Sequence, residues 1–359
     1  WYNINTSYPS VEGNNEYNWT VGNLKNTTCL IRVSDARTAF TSEVTDTSDS
    51  IFTVLPQINI TQPIASQNVT AYSNSTPIRW TYTGTTVNIV NTYYSTDAGS
   101  NWTLINSSIP VTQNGTYVWP AVPILTSSTA MVKVQDSDFP LVLGTSPVFN
   151  IIGNLRLVTP DTGGQEWKVG SSQYITWDQY AVPLVNISYS TNNGSGWTTL
   201  ATNYNGSQES YQWNIANDTF ITNIAKVKIE DAANPIVVND TSASPFSILA
   251  WFNVATPENG AIVLAQDPQY VNWSYNSNGI TNVALEYSTE NPPANWTNLI
   301  NASDQNATTA NDGSYYWPSV PGSKLSTTCK VRVRDLGHVN GSNMSEGWFD
   351  LRGKLIVNS

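Results

Sequence analysis

Apolar and polar residues alternate along most of this chain. Val185, Ile187 and Tyr189 are separated by Asn186 and Ser188, and Val132 and Val134 by Lys133. A period of two sends successive side chains to opposite faces of an extended backbone, so each such run predicts a half-buried β-strand. Gly, Asn, Asp and Pro interrupt the runs at roughly eight- to twelve-residue intervals, which predicts short strands joined by turns and no helical stretch. Tyr94 to Ile105 reads as a hairpin turning at Asp97-Ala98-Gly99.

The alternation itself recurs. Tyr94-Ser95-Thr96-Asp97 returns as Tyr189-Ser190-Thr191-Asn192 and as Tyr287-Ser288-Thr289-Glu290, at spacings of 95 and 98 residues. Trp80, Trp177 and Trp273 fill one slot of this repeat. Trp1, Trp102, Trp197 and Trp296 fill a second, and Trp19, Trp119, Trp213 and Trp317 a third. A fourth marker closes each unit: Ile31 to Asp35, Val132 to Asp136, Val227 to Asp231 and Val331 to Asp335. About 97 residues holding roughly seven short strands and one aromatic core fit a two-sheet sandwich. The expected fold is therefore all-β, with tandem immunoglobulin-like or fibronectin-III-like β-sandwiches at 57–151, 152–250 and 251–351. The C-terminal half of such a repeat is expected at 1–56, and the first strand of a following one at 352–359. Junctions such as Phe149 to Pro160 leave at most two or three residues between strands and contain no Gly/Ser tract, so a stiff linear array is expected.

The two ends complement each other. Trp1 aligns with Trp102, midway through a repeat, while Gly353 to Ser359 aligns with Gly153 to Thr159. Measured from Pro63, Pro160 and Pro257 to the second tryptophan slot, the stretch that 1–56 lacks is 37 to 39 residues. Either the sequence is a window of a longer array, or neighbouring copies complete both ends. Lys354, Leu355, Ile356 and Val357 are the expected polymerisation strand. The expected partners are thus copies of the chain itself, head to tail, or covalent continuation of the array.

Composition narrows the setting. Only 11% of residues are charged, and the net charge of -11 with a pI near 4.4 disfavours a nucleic-acid backbone as partner. No apolar run approaches the roughly 20 residues of a membrane span, and no charged-then-apolar leader opens the sequence as given. The 42 Asn generate 20 Asn-x-Ser/Thr sequons, against about ten expected by chance. They are Asn5, Asn18, Asn26, Asn59, Asn68, Asn74, Asn101, Asn106, Asn114, Asn186, Asn193, Asn205, Asn217, Asn239, Asn272, Asn295, Asn301, Asn306, Asn340 and Asn343. Attached glycans are expected, foremost at Asn101, Asn186 and Asn295, and would supply the solubility that sparse charge does not.

Other chemistry is thin. The tryptophans of the first and third slots repeat in strand phase and are expected in the core; the second slot, at the hairpin exit, admits either packing or binding. Cys29 and Cys329 share one inward slot three repeats apart and are expected as buried free thiols. His338 lies in a loop without a Cys or His at ligand spacing. Asp35, Asp136, Asp231 and Asp335 end the same strand in each unit and are expected to cap turns rather than hold calcium. No nucleophile–base pair, phosphate loop or carboxylate dyad recurs, so neither enzyme activity nor a cofactor or metal site is expected.

Ile78-Arg79-Trp80, Tyr94 to Trp102, Gly115 to Pro120 and Val132 to Asp136 together resemble the immunoglobulin-like repeats of very long bacterial cell-surface proteins. They are more weakly similar to the Ser/Thr-rich, GPI-anchored wall-protein family of fungi. The resemblance covers nearly the whole chain and implies a secreted, structural role at the cell surface, with no catalytic residues. A glycosylated subunit or segment of an extracellular, pilus-like filament is the first functional expectation. A cell-surface adhesin or carbohydrate-binding array is the alternative; it should carry one repeat unlike the others, with an exposed aromatic or acidic cluster.

Overall fold

In the computed structural model, which describes residues 1–37, 44–84, 87–111, 114–276, 278–322, 324–338 and 340–355, strands form where apolar residues fall at every second position. Among the described residues the only helical turn is the 3₁₀ turn Gly206–Gln208. The chain falls into two compact units, Trp1–Asn154 and Leu155–Ser359.

The first complete sandwich is built from β5 (Ile58–Gln62), β6 (Asn68–Thr70), β7 (Thr76–Tyr82), β8 (Ile89–Ser95), β9 (Thr103–Pro110), β10 (Asn114–Trp119), β11 (Ser127–Asp136), β12 (Leu143–Thr145) and β13 (Phe149–Ile152). One sheet has the order β10-β7-β5 and the other β6-β13-β11-β8-β9, with β12 paired to β11. All neighbours are antiparallel except β6 and β13. The hairpin between β8 and β9 turns where sequence places it: Ala98 and Gly99 take φ of +55° and +87°, the second of which glycine adopts at no steric cost. Gln62-Pro63 is cis and lies where the chain passes from the smaller sheet to the larger.

The same ladder order recurs twice in the second unit. Strands β14 (Asn154–Thr159), β15 (Glu166–Lys168), β16 (Ser172–Tyr180), β17 (Leu184–Ser190), β18 (Thr198–Asn205), β19 (Ser210–Asn214), β20 (Thr222–Asp231), β21 (Asn239–Thr241) and β22 (Phe246–Leu249) form sheets β14-β16-β19 and β15-β22-β20-β17-β18. Next come β23 (Trp251–Thr256), β24 (Ile262–Leu264), β25 (Gln269–Asn276), β26 (Asn282–Ser288), β27 (Thr297–Asn298), β28 (Thr309–Ala310), β29 (Ser314–Trp317), β30 (Ser326–Arg334), β31 (Ser342–Met344) and β32 (Phe349–Arg352). Their sheets are β23-β25-β29 and β24-β32-β30-β26-β27. Three strands facing a larger sheet in this order make the chain a tandem series of immunoglobulin/fibronectin-III-like sandwiches.

Aromatic rings join the two sheets of each sandwich. Tyr94 meets Trp119, Tyr189 meets Trp213 and Tyr287 meets Trp317, with ring centroids 5.3, 4.7 and 5.4 Å apart. Trp80, Trp177 and Trp273 are buried as well. The last strand of each unit breaks in two at a serine whose hydroxyl accepts an N–H from the strand alongside. Ser146, Ser242 and Ser345 receive it from Val132, Val227 and Val331 at 3.0, 3.0 and 3.4 Å. Ser48 does the same for Ile31 at 3.2 Å.

That last pair belongs to the N-terminal segment, where β1 (Asn26–Cys29), β2 (Arg32–Ser34), β3 (Thr45–Thr47) and β4 (Phe52–Val54) form two two-stranded ladders, β1-β4 and β2-β3. Residues 1–25 carry no strand, although Trp1 and Trp19 occupy the positions of Trp102 and Trp119. The ladder order explains this. The counterparts of 1–25 are β9 and β10, which pair with β8 and β7, and the described residues of this segment contain no strand equivalent to β7 or β8. Its last strands pair with each other and therefore form.

Candidate functional site

The open ladder at β1–β4 is the most distinctive feature of the first unit. Val33 is 70% exposed, whereas its counterparts Val134, Ile229 and Val333 are each 0% exposed in the sandwich cores. Val44 and Ile51 are exposed too. In the complete sandwiches the strand equivalent to β1 and β2 pairs with β8, β17 or β26 on one edge. The equivalent of β4 pairs with β6, β15 or β24. Among the described residues neither partner type is present here, so two backbone edges and an apolar face are uncovered.

At the other end, Gly353, Lys354 and Leu355 carry no strand. Leu355 is 97% exposed, against 8% for its aligned counterpart Leu155. Lys354 Nζ reaches Asp267 Oδ1 at 2.6 Å. Ile356 and Val357 lie outside the described residues.

The second tryptophan slot is resolved by geometry. Each of its four rings lies against a cation from the strand that carries the fourth marker: Trp1 with Arg32 at 4.5 Å, Trp102 with Lys133 at 4.9 Å, Trp197 with Lys228 at 5.0 Å and Trp296 with Arg332 at 4.2 Å. This is packing by an aromatic–cation pair. The basic residue was visible as the second position of every Val/Ile-x-Val/Ile marker, and sequence reasoning passed over it. Lys133 also lies 4.3 Å from the Tyr93 ring, and burial pushes its ammonium below the ordinary range. In the third repeat Arg332 and Arg334 both pair with the buried Glu286, at 2.5 and 2.8 Å.

The four repeated aspartates cap turns, as their strand-end positions imply. Asp35, Asp136, Asp231 and Asp335 accept the N–H two residues on, from Arg37, Asp138, Ala233 and Gly337, at 2.8 to 3.0 Å. Asp136 also takes Lys25 Nζ at 2.8 Å, and Asp335 faces His338 Nδ1 at 2.6 Å. Among the described residues no three His, Cys, Asp or Glu side chains are placed to hold a metal ion. No helix of the described residues is long and apolar enough to cross a membrane. Cys329 is buried, and burial pushes its thiol up; Cys29, in the open ladder, is half-buried.

Sixteen of the sequon asparagines are exposed, and Asn106, Asn186 and Asn272 are half-buried; the Asn114 side chain lies outside the described residues. Exposure does not make them equivalent. Asn101 Nδ2 donates to Asp97 Oδ2 and Asn295 Nδ2 to Glu290 Oε1, both at 2.7 Å. The Asn101 backbone N–H and side-chain amide together hold the Asp97 carboxyl down at about 2. Asn186 Oδ1 accepts the Asn203 N–H at 3.0 Å. Asn239 and Asn343 donate to backbone carbonyls of Pro235 and Phe252, and Asn340 to Glu166. By contrast Asn59, Asn74, Asn193, Asn217 and Asn306 are exposed, and their amide nitrogens donate to no described residue.

One sheet face differs from its equivalents. On β25 and β29 the cross-strand pair Tyr270 and Tyr316 points outward, 55% and 50% exposed, with ring centroids 5.2 Å apart. The aligned positions hold Pro77 and Val118 in the first sandwich and Tyr174 and Gln212 in the second.

No protein-family model matches the chain, and no curated protein matches it. Among solved structures it is similar to extracellular domains 3–5 of Drosophila OTK, at 11% identity and a TM-score of 0.28, over 82% of this chain and 97% of that one. The fibronectin(III)-like modules of Clostridium thermocellum CbhA match at 14% identity and a TM-score of 0.19, covering 54% and 93%. The N-terminal four Ig domains of Dscam1 isoform 4.44 match at 9% identity and 0.28, covering 86% and 77%. Scores this low carry no argument, and the fold class rests on the strand order and packing described above.

Proposed function

We propose that this chain is a glycosylated structural subunit or segment of an extracellular fibre, built from repeats at 57–151, 152–250 and 251–351 and joined end to end through the incomplete repeat at 1–56. The observation that carries this reading is Val33, 70% exposed where three counterparts are fully buried. An apolar strand with unpaired edges is a template for strand addition. The occupant is either the 354–357 segment of a neighbouring copy, lying along the free edge of β2 or β4, or further repeat sequence supplying the whole missing set. A head-to-tail joint uses two different surfaces and propagates as an open filament unless its rotation closes. Abundant exposed sequons support the extracellular, glycosylated setting, because N-linked sugar needs solvent-facing asparagine.

A second reading, a cell-surface adhesin or carbohydrate-binding array, is favoured by the Tyr270–Tyr316 face, which the other sandwiches do not share. The two readings separate on purification from the source. The fibre reading expects assemblies that grow with protein concentration and glycopeptides at several sequons. Monodisperse monomer at every concentration, with every sequon bare, would overturn it.

A further inference from the structure

We infer that the sugar chain on Asn272 is seated on the protein surface, its first residues packed against Tyr270 and Tyr316, rather than extending freely into solvent. This rests on the proposal that the sequons are glycosylated. Two sequon asparagines follow a tyrosine by two positions, Asn74 after Tyr72 and Asn272 after Tyr270; Tyr72 sits in a turn at φ +61°, whereas Tyr270 and Asn272 share the strand β25. In a strand, that spacing puts both side chains on one face. The structure shows that face: Tyr270, Asn272 and Ser274 point outward from β25 while Val271 and Trp273 are buried.

The neighbouring strand completes the seat. Tyr316 lies directly opposite Tyr270, and Ser314 directly opposite Asn272. Ser314 Oγ donates to Asn272 Oδ1 at 2.7 Å. This bond fixes the orientation of the amide and leaves Nδ2, the atom that carries a sugar, with no partner among the described residues. Asn101 and Asn295 are the reverse, with Nδ2 tied to a carboxylate. Successive outward pairs on a strand are about 7 Å apart, so a pyranose attached at Asn272 reaches the tyrosine pair without extending its linkage. The C–H face of a pyranose is apolar, and an exposed aromatic face is the surface it covers best. Beside Tyr270 and Asn272 lies a groove of ≈ 240 Å³ that Glu258 and Gln269 also line. Their carboxylate and amide suit the hydroxyls of a second sugar. Two half-exposed tyrosines on one sheet otherwise present an unexplained apolar patch.

The test uses the full chain purified from its source, with glycopeptide mass spectrometry and timed enzymatic or chemical release of sugar from the folded protein. The comparison site is Asn306, exposed and in a loop. Release from Asn272 is expected to be at least tenfold slower than from Asn306, and the double variant Y270T/Y316T should bring the two rates together. Both tyrosines lie on the solvent face, so circular dichroism and an unchanged rate at Asn306 verify that the variant folds. Sugar on other sequons with Asn272 bare overturns this inference and leaves the fibre reading standing. Equal release rates, or a slow rate that survives Y270T/Y316T, also overturn it. Bare asparagine throughout removes the glycosylation reading itself.

Discussion

Val33 and Val333 occupy the same slot in two repeats, one open and one closed, so truncating each to alanine tests the open ladder directly. Val333 is fully buried, and Val333→Ala should cost about 2 kcal/mol by lost transfer energy and residual cavity. The third sandwich would then melt roughly 8–16 °C lower. Val33 retains 70% of its exposure, so Val33→Ala should cost only about 0.6 kcal/mol in unassembled chain, scaling the same loss by the buried share. Once a partner covers β2, the full loss of about 2 kcal/mol applies, and the difference of about 1.4 kcal/mol weakens the joint about tenfold. Calorimetry on unassembled chain and the critical concentration for assembly read the two effects separately. A Val33→Ala loss equal to that of Val333→Ala in unassembled chain would show that the ladder closes on itself. An unchanged critical concentration would show that Val33 is not at the joint.

Further substitutions probe the core and the turns. A Cβ at Gly115 would lie 1.9 Å from Cε2 of the buried Trp80 ring, so Gly115→Ala should lower stability by about 3 kcal/mol in denaturant unfolding; a neutral result would mean that the ring is free to move. The Asp97 carboxyl sits at about 2, below its ordinary 3.8. Its hold on Asn101 is therefore fully present above about pH 4 and is lost as pH falls through 2. Carboxyl NMR shifts should titrate at that midpoint, and one near 4 would contradict the turn geometry. Cys29 should react with a maleimide in unassembled chain and become protected on assembly, while Cys329 stays unreactive until unfolding; equal rates at the two would refute the contrast in burial.

Much of the fold was legible because every repeat prints the same constraints. Trp80 and Trp119 were readable as core from strand phase, and Asp136 as a turn cap from its place after Val132-Lys133-Val134. The strandless 1–25 was not, because the pairing of β9 with β8 and of β10 with β7 is a property of sheet order, which alternation does not encode. Nor was the serine at each strand break, since Ser48, Ser146, Ser242 and Ser345 sit among many other serines. Sequence reasoning favoured Asn101 and Asn295 as hairpin-tip glycan sites. It had no means of seeing that Asp97 and Glu290 engage their amides, or that Ser314 frees the Nδ2 of Asn272. Those relations run between side chains in adjacent strands or across a turn, where geometry and not spacing decides.

The central claim, that strands of another repeat complete the β1–β4 ladder, is tested most directly by electron cryo-microscopy of the native assembly at side-chain resolution. The account predicts a strand hydrogen-bonded along the free edge of β2 or β4, with Val33 as buried as Val134. Native material in which both edges face solvent and Val33 remains exposed would contradict it.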